Sequence, residues 1–203
     1  MMRKISIYIL ALMAFVATVS CHKETTEGLS LVTNYAVFEY EALVVVEVGD
    51  DYTPNANATE NGQSIAVETS SDVDTNTVGI YGVTYSAINS DGFEASVFQT
   101  VVVHDPSIIG TDVSGNIWDK GNNSRTGVIS LVEGTTSIFY ATDFGFAGAF
   151  PVYFQMDGDV ISEIPQTYAF DVSNVDLTYD PVTREFTTLI HPQGFGYTFE
   201  YQN

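Results

Sequence analysis

Beyond residue 30 the chain alternates apolar and polar positions with a period of two. In YGVTYSA, residues 81–87, Tyr81, Val83 and Tyr85 alternate with Gly82, Thr84 and Ser86, the pattern of a half-buried strand. YTFEY, residues 197–201, sets Tyr197, Phe199 and Tyr201 on one face. No window past the first 30 residues combines helical i, i+3, i+4, i+7 spacing with caps at both ends. Strands are expected at 31–40, 43–48, 64–69, 81–87 and 94–103. In the second half they are expected near 115–119, 127–132, 136–142, 150–156, 159–163, 174–179, 184–190 and 195–201. GDDYTPNANATENGQ, residues 49–63, reads as a long polar loop. Asn89-Ser90-Asp91-Gly92 and Asp157-Gly158 are hairpin signals. Turn signals recur about every 8–12 residues, as in sandwiches and barrels. His104-Asp105-Pro106 breaks the alternation, because proline donates nothing to a ladder, and a domain boundary is expected at 104–110.

The first 30 residues follow another pattern. Arg3 and Lys4 precede an uncharged 15-residue segment, Ile5 to Val19. A membrane-spanning helix needs about 20 apolar residues, so this segment fits a secretory signal better than a span. The sole cysteine, Cys21, follows the small residues Ala17, Thr18 and Ser20. This arrangement resembles a bacterial lipoprotein signal, with Thr18 where that pattern usually has leucine. The resemblance implies cleavage after residue 20, lipid attachment at Cys21, a polar tether over 21–30 and anchoring in the outer membrane. Several acyl chains, each stabilising by ~0.8 kcal/mol per buried CH2, make a firm anchor. The other reading is an ordinary signal with an incidental cysteine. An unpaired cysteine in an exported protein invites wrong disulfides, and acylation removes that hazard. His22-Lys23-Glu24 resembles a surface-export signal of glycan-degrading gut anaerobes.

Charge narrows the partners. The chain carries 26 acidic residues and six basic ones, a net charge of −20. Cleavage before Cys21 removes Arg3 and Lys4 and leaves Lys23, Lys120, Arg125 and Arg184 as the whole cationic complement. Nucleic acid is excluded as a partner, since phosphate binding needs a basic face. Beyond Cys21 no cysteine is available for a disulfide or a thiolate metal site. With 45% apolar and 13% aromatic residues, the core alone can stabilise a folded chain.

Residues 31–106 carry a recognisable pattern. Gly49 and Tyr52 form a G-x-x-Y turn, and Gly79, Tyr81, Val83, Tyr85, Ala87, Asn89 and Gly92 follow at fixed spacing. Thr100, Val101, Val103 and Asp105 make the exit. This resembles the bacterial surface immunoglobulin-like module. In residues 111–203, GTDVSGNIWDKG and IFYATDFGFAGAFPVYF resemble the C-terminal domain of surface lipoproteins that accompany starch-utilisation-type uptake systems. The fold expected is all-β, an immunoglobulin-like sandwich followed by a small antiparallel barrel or sandwich. The second resemblance implies a transporter complex of that type as a partner.

Candidate chemistry is sparse. Asp72 to Asn76, DVDTN, begins like a calcium loop, but an EF-hand needs glycine and glutamate where Thr77 and Val83 stand. A looser site with Asp50, Asp51 or Asp91 competes with a plain solvated loop. Asp143-Phe144-Gly145 lacks every other kinase motif. His104 and His191 belong to no metal or nucleophile motif. No catalytic residue, metal site or cofactor is assigned, and the chain is not expected to be an enzyme. A hydrolase would need two carboxylates facing across a cleft. The suggestive residues are aromatic. Phe144, Phe146 and Phe150 alternate with glycine and alanine, and Trp118 sits beside Asp119, with Asn122, Asn123 and Arg125 near. Aromatic faces stack on the C–H faces of sugars, and sugar sites pair such rings with a few polar groups. The bland alternatives are a barrel-end plug for the phenylalanines and a core position for Trp118. The leading expectation is an accessory glycan-binding lipoprotein on the cell surface, favouring a neutral polysaccharide. The alternative is a structural or adhesive surface lipoprotein making protein contacts.

Overall fold

The computed structural model describes residues 33–146 and 150–202. The signal segment, Cys21 and the tether lie outside the described residues. The first half forms two facing sheets. One contains β1 (Val37–Tyr40), β3 (Ala56–Glu60) and β4 (Gln63–Ile65) in the order β1-β3-β4. The other contains β2 (Leu43–Glu47), β5 (Glu68–Ser71), β6 (Gly79–Ile88) and β7 (Glu94–His104) in the order β2-β7-β6-β5. Strands β2 and β7 are parallel, and the other pairs are antiparallel. Inward residues Val46, Val83, Tyr85, Val101 and Val103 fill the space between the sheets. The motif residues explain themselves here. Gly49 turns at φ 89°, and the Tyr52 and Tyr85 hydroxyls both donate to Gln99 Oε1. Asn89 Oδ1 accepts the Phe93 N–H at 2.7 Å, while Gly92 takes φ 86°.

Two expectations are corrected. Residues 49–63 are not all loop, because β3 runs through them. Its inward positions are Ala56, Ala58 and Glu60, too small or too polar to register as a hydrophobic strand. Asn61 (φ 50°) and Gly62 (φ 77°) close a two-residue hairpin to β4, the chemistry an Asn-Gly pair favours. Nor is 64–69 one strand. The chain changes sheets there, leaving β4 in one and β5 in the other.

The second half is an antiparallel sheet of eight strands that nearly closes on itself. They are β8 (Gly115–Asp119), β9 (Asn122–Leu131), β10 (Ile138–Ala141), β11 (Val152–Asp157), β12 (Val160–Glu163), β13 (Asn174–Asp180), β14 (Glu185–His191) and β15 (Phe195–Tyr201). Their order is β12-β11-β10-β9-β8-β15-β14-β13. At the seam β12 and β13 lie side by side, and Glu163 Oε1 accepts the Val175 N–H at 2.9 Å. An eight-stranded barrel leaves an interior just wide enough for side chains. Ile117, Phe139, Phe144, Phe154, Phe186 and Phe199 fill it. β8 and β15 begin and end on the residues expected from the alternation.

From Asn34 onward the chain is one compact unit. The outer face of the β2-β7-β6-β5 sheet packs on the outer face of β10 and β11. Val102, Val132, Ile138 and Ile164 are buried between them, with Val45, Val78, Ile80, Tyr140 and Tyr153 around. One main-chain bond crosses, from Ile80 N to Pro165 O at 2.8 Å. Gly79 makes that approach feasible, since a Cβ there would lie 3.1 Å from Pro165 O and 3.2 Å from Pro165 Cβ. This explains the unbroken run Ile138-Phe139-Tyr140-Ala141 in β10. Phe139 and Ala141 face the barrel interior, and Ile138 and Tyr140 face the neighbouring sheet.

Candidate functional site

The residues singled out in the sequence part company in the structure. Phe144 and Phe150 are fully buried. Phe144 packs on Phe154, Phe186 and Phe199 at 5.4–5.5 Å between ring centroids. Neither Phe144 nor Phe150 offers a face to a ligand; they plug the barrel. Asp143 fastens that plug, its Oδ1 accepting the Gly145 N–H at 3.1 Å and the Phe150 N–H at 3.3 Å. Burial pushes the Asp143 carboxyl above the usual carboxylate range, and its Oδ2 has no hydrogen-bond partner. Phe146 alone of the three reaches the surface side, stacked on Phe150 at 5.3 Å.

Trp118 lies half-buried on the outer face of β8. Its indole N–H donates to Glu200 Oε1 at 2.9 Å. Around it the cations are already committed. Lys120 Nζ pairs with Glu185 at 2.6 Å, and Arg125 pairs with Asp119 while lying 4.6 Å above the Tyr197 ring. Arg184 lies 4.2 Å above the Tyr201 ring. These three are the only lysines and arginines among the described residues; Lys120 and Arg125 are paired with carboxylates, while Arg184 stacks on a ring. The calcium-like loop is likewise self-bonded. Asp74 accepts from the Asn76 N–H and the Thr77 hydroxyl, bonds that hold its carboxyl below the usual range. Asp72 Oδ1 accepts the Gly82 N–H at 2.7 Å. Among the described residues no group of three or more His, Cys, Asp or Glu is disposed to hold a metal ion.

A concave aromatic site lies elsewhere, beside the packed junction. A groove of about 320 Å³ opens between the outer face of β6 and β7 and the outer face of β10 and β11. Ligand pockets run from about 300 to 1,000 Å³ and combine apolar walls with a few fixed polar groups. Here Phe98, Tyr140 and Tyr153 supply rings, and Asp72, Thr100, Gln166 and Thr167 supply polar atoms. Phe98 is 59% exposed, yet its ring is not free to fall inward. It lies on Gly82, where a Cβ would come within 2.6 Å of Phe98 Cε2 and Cζ. Glycine thus lets the ring tip rest against β6 while most of the side chain stays exposed. Across the groove Tyr140 and Tyr153 meet at 4.7 Å between centroids. Gln166 is pinned at both ends of its amide. Oε1 accepts the Tyr153 N–H at 3.0 Å, and Nε2 donates to Tyr153 O at 2.7 Å and to the Tyr168 hydroxyl at 3.1 Å. The walls are therefore set before any ligand arrives.

Sequence reasoning missed this groove, although a signal for half of it exists. In EASVFQTVVV, Val97, Gln99 and Val101 face inward, so Phe98 falls on the outer face with Ser96 and Thr100. An aromatic ring at an outward position, diagonal to a strand glycine, marks the platform. A more open polar cleft of about 570 Å³ lies by Tyr40, Tyr52 and Gln99. Gln99 there is already bonded to Tyr52, Tyr85 and Glu41 O.

Residues 38–103 match the family described as the bacterial surface protein Ig-like domain. No curated protein matches the chain. Among solved structures, a lipoprotein from Bacteroides thetaiotaomicron is 22% identical, with a TM-score of 0.41 over 81% of this chain and 98% of that one. A structure of ZmpB from Clostridium perfringens, containing a CBM51 module in complex with GlcNAc and INT domains, is 19% identical with a TM-score of 0.33. That match covers 52% of this chain and 31% of the ZmpB chain.

Proposed function

We propose that the protein is a lipid-anchored accessory protein of the outer cell surface that captures neutral glycans without catalysis, as part of a polysaccharide-uptake system. The observation that carries this reading is the junction groove, where Phe98, Tyr140 and Tyr153 present ring faces around the fixed amide of Gln166. Aromatic walls with few, preplaced polar groups suit a ligand with alternating C–H faces and hydroxyls. The pairing of Lys120 and Arg125 with carboxylates, together with the net charge of −20, disfavours uronic or sulfated glycans. Anchoring follows from the Cys21 reading of the N-terminal segment. The surface address is supported by the Ig-like match over 38–103.

The test is binding of residues 22–203, which keep the whole compact unit, to a panel of neutral and acidic polysaccharides. Affinity electrophoresis followed by calorimetry should show retardation by a neutral glycan, lost in Phe98→Ala. A folded protein that no glycan retards refutes the reading. In that event the adhesive alternative leads, because β5 has one strand neighbour and all four of its residues are exposed. An unprotected edge is a template for strand pairing, and light scattering would then show self-association or partner binding.

A further inference from the structure

Beyond Gln166 and Thr167, which line the groove, a series of ring contacts continues through the buried Phe150. Gln166 Nε2 donates to the Tyr168 hydroxyl, and from Tyr168 a series of rings leads over the end of the barrel. Tyr168 stacks on Phe150 at 6.0 Å and 15° between planes. Phe150 stacks on Phe146 at 5.3 Å and 23°. Phe146 then meets Phe170 at 5.3 Å and Phe195 at 5.9 Å. The first rings of the series are covered to different degrees, but its far end is open. Phe170 is 57% exposed and Phe195 is 50% exposed.

The exposure of Phe170 is imposed by its backbone. Phe170 and Asp171 both take left-handed conformations, φ 60° and φ 55°, which bulky L residues ordinarily avoid. The turn is held from both sides. Val172 N–H reaches Ala169 O at 3.3 Å, and Gln193 Nε2 donates to Phe170 O at 3.2 Å. Backbone of this kind persists where surrounding structure enforces it, and it concentrates at ligand clamps. Here it carries a large ring that packs on Phe146 on one side and is otherwise exposed.

Resting on the glycan reading of the groove, we infer that the ligand is a glycan chain of several sugars lying across both surfaces. Phe170 and Phe195 form a distal stacking platform, and the groove by Phe98 and Tyr153 is the proximal one. Pro151 and Thr167, which line the groove, stand in the same two connections, β10 to β11 and β12 to β13, that carry Phe146 and Phe170. Thr167 on the groove and Phe170 on the platform are three residues apart in the β12–β13 connection. A single sugar or a chain end would occupy the groove and leave the platform bare. A polymer segment would cover both.

Chain length is the discriminating variable. Calorimetry on residues 22–203 would use malto-, cello- and manno-oligosaccharides of two to eight sugars. The expected result is an affinity that rises by about tenfold from the shortest binding member to the longest, the gain from covering one further aromatic face. The double variant Phe170→Asn/Phe195→Thr should bind the short member as the wild type does and lose the rise. Asparagine tolerates the left-handed backbone and threonine suits a strand, so the variant retains its fold, checked by its melting transition. Phe98→Ala should weaken short and long members alike. A wild-type affinity flat with length, beside clear binding of the short member, overturns the extended-chain inference and leaves the groove reading standing. An unchanged rise in the double variant overturns it as well. Absence of binding by every member overturns both.

Discussion

Replacing Gly82 by alanine tests the groove at its most specific point. The added methyl would lie 2.6 Å from two ring atoms of Phe98, well inside van der Waals contact, so the ring must lift from β6. Because Phe98 is 59% exposed, it can lift without disturbing the core. Alanine also restricts the unfolded strand more than glycine does, by roughly 0.5–1 kcal/mol. The two effects oppose, and the stability change should stay within about 1 kcal/mol. Binding should change more. A phenylalanine side chain presents ~200 Å², so roughly 100 Å² of Phe98 faces solvent. A sugar covering half of that, at ~25 cal/mol per Å², gains about 1.3 kcal/mol, near tenfold in dissociation constant. Gly82→Ala and Phe98→Ala should each lose this stacking, and the double variant should lose no more than either alone. Calorimetry on the four proteins with the best-bound neutral glycan measures that coupling. Wild-type affinity in Gly82→Ala, or losses that simply add in the double variant, would show that the seated ring is not the binding platform.

Other parts of the molecule make separate demands. Ile138→Ala empties a fully buried position between the sheet and the barrel and should destabilise by about 2–5 kcal/mol in urea unfolding. Trp118→Ala tests the site suggested by sequence. With its indole bonded to Glu200 on the far side of β8 from the barrel interior, the groove reading expects glycan affinity within twofold of wild type. Asp143 makes a pH prediction. Its folded-state pKa is raised by burial, so the folded chain binds more protons than the unfolded one between the usual carboxylate range and the raised value. Stability therefore falls as pH rises through that window, and Asp143→Asn, which keeps a carbonyl for Gly145 and Phe150, should remove that segment of the pH dependence in thermal melts.

The fold was legible because its core obeys simple alternation. The barrel strands β8 and β15 could be bounded from Ile117, Phe199 and their neighbours, and the tyrosine and glycine spacing of β6 pointed to the sandwich. The failure at β3 has a physical origin. A strand whose inward residues are Ala56, Ala58 and Glu60 gives no hydrophobic signal, since its neighbours supply the bulk. The candidate site was legible only in pieces. Phe144, Phe146 and Phe150 stand out by their spacing with glycine and alanine, yet the bond from Phe144 N to Phe150 O and the Asp143 carboxylate fold Phe144 and Phe150 into the barrel core. Period-two logic reports which residues share a face; it does not report which of two faces another sheet will cover.

The junction bears on the role proposed for the first module. A sandwich that merely held the barrel away from a membrane would need no shaped contact with it. Instead Val102, Ile138 and Ile164 are buried between the two, and Gly79 lets the backbones bond. Buried apolar packing of this kind opposes the hinge motion that separate domains ordinarily retain. A binding groove with one wall on each side requires that rigidity, because its walls must keep their spacing to be preorganised. The arrangement accounts for three otherwise unrelated choices. Glycine stands at position 82 between Tyr81 and Val83 in the interior of β6, phenylalanine stands at 98 among outward serine and threonine, and Gln166 makes both ends of its amide serve Tyr153. Each lies at the same groove, and under the proposed reading each holds one of its walls.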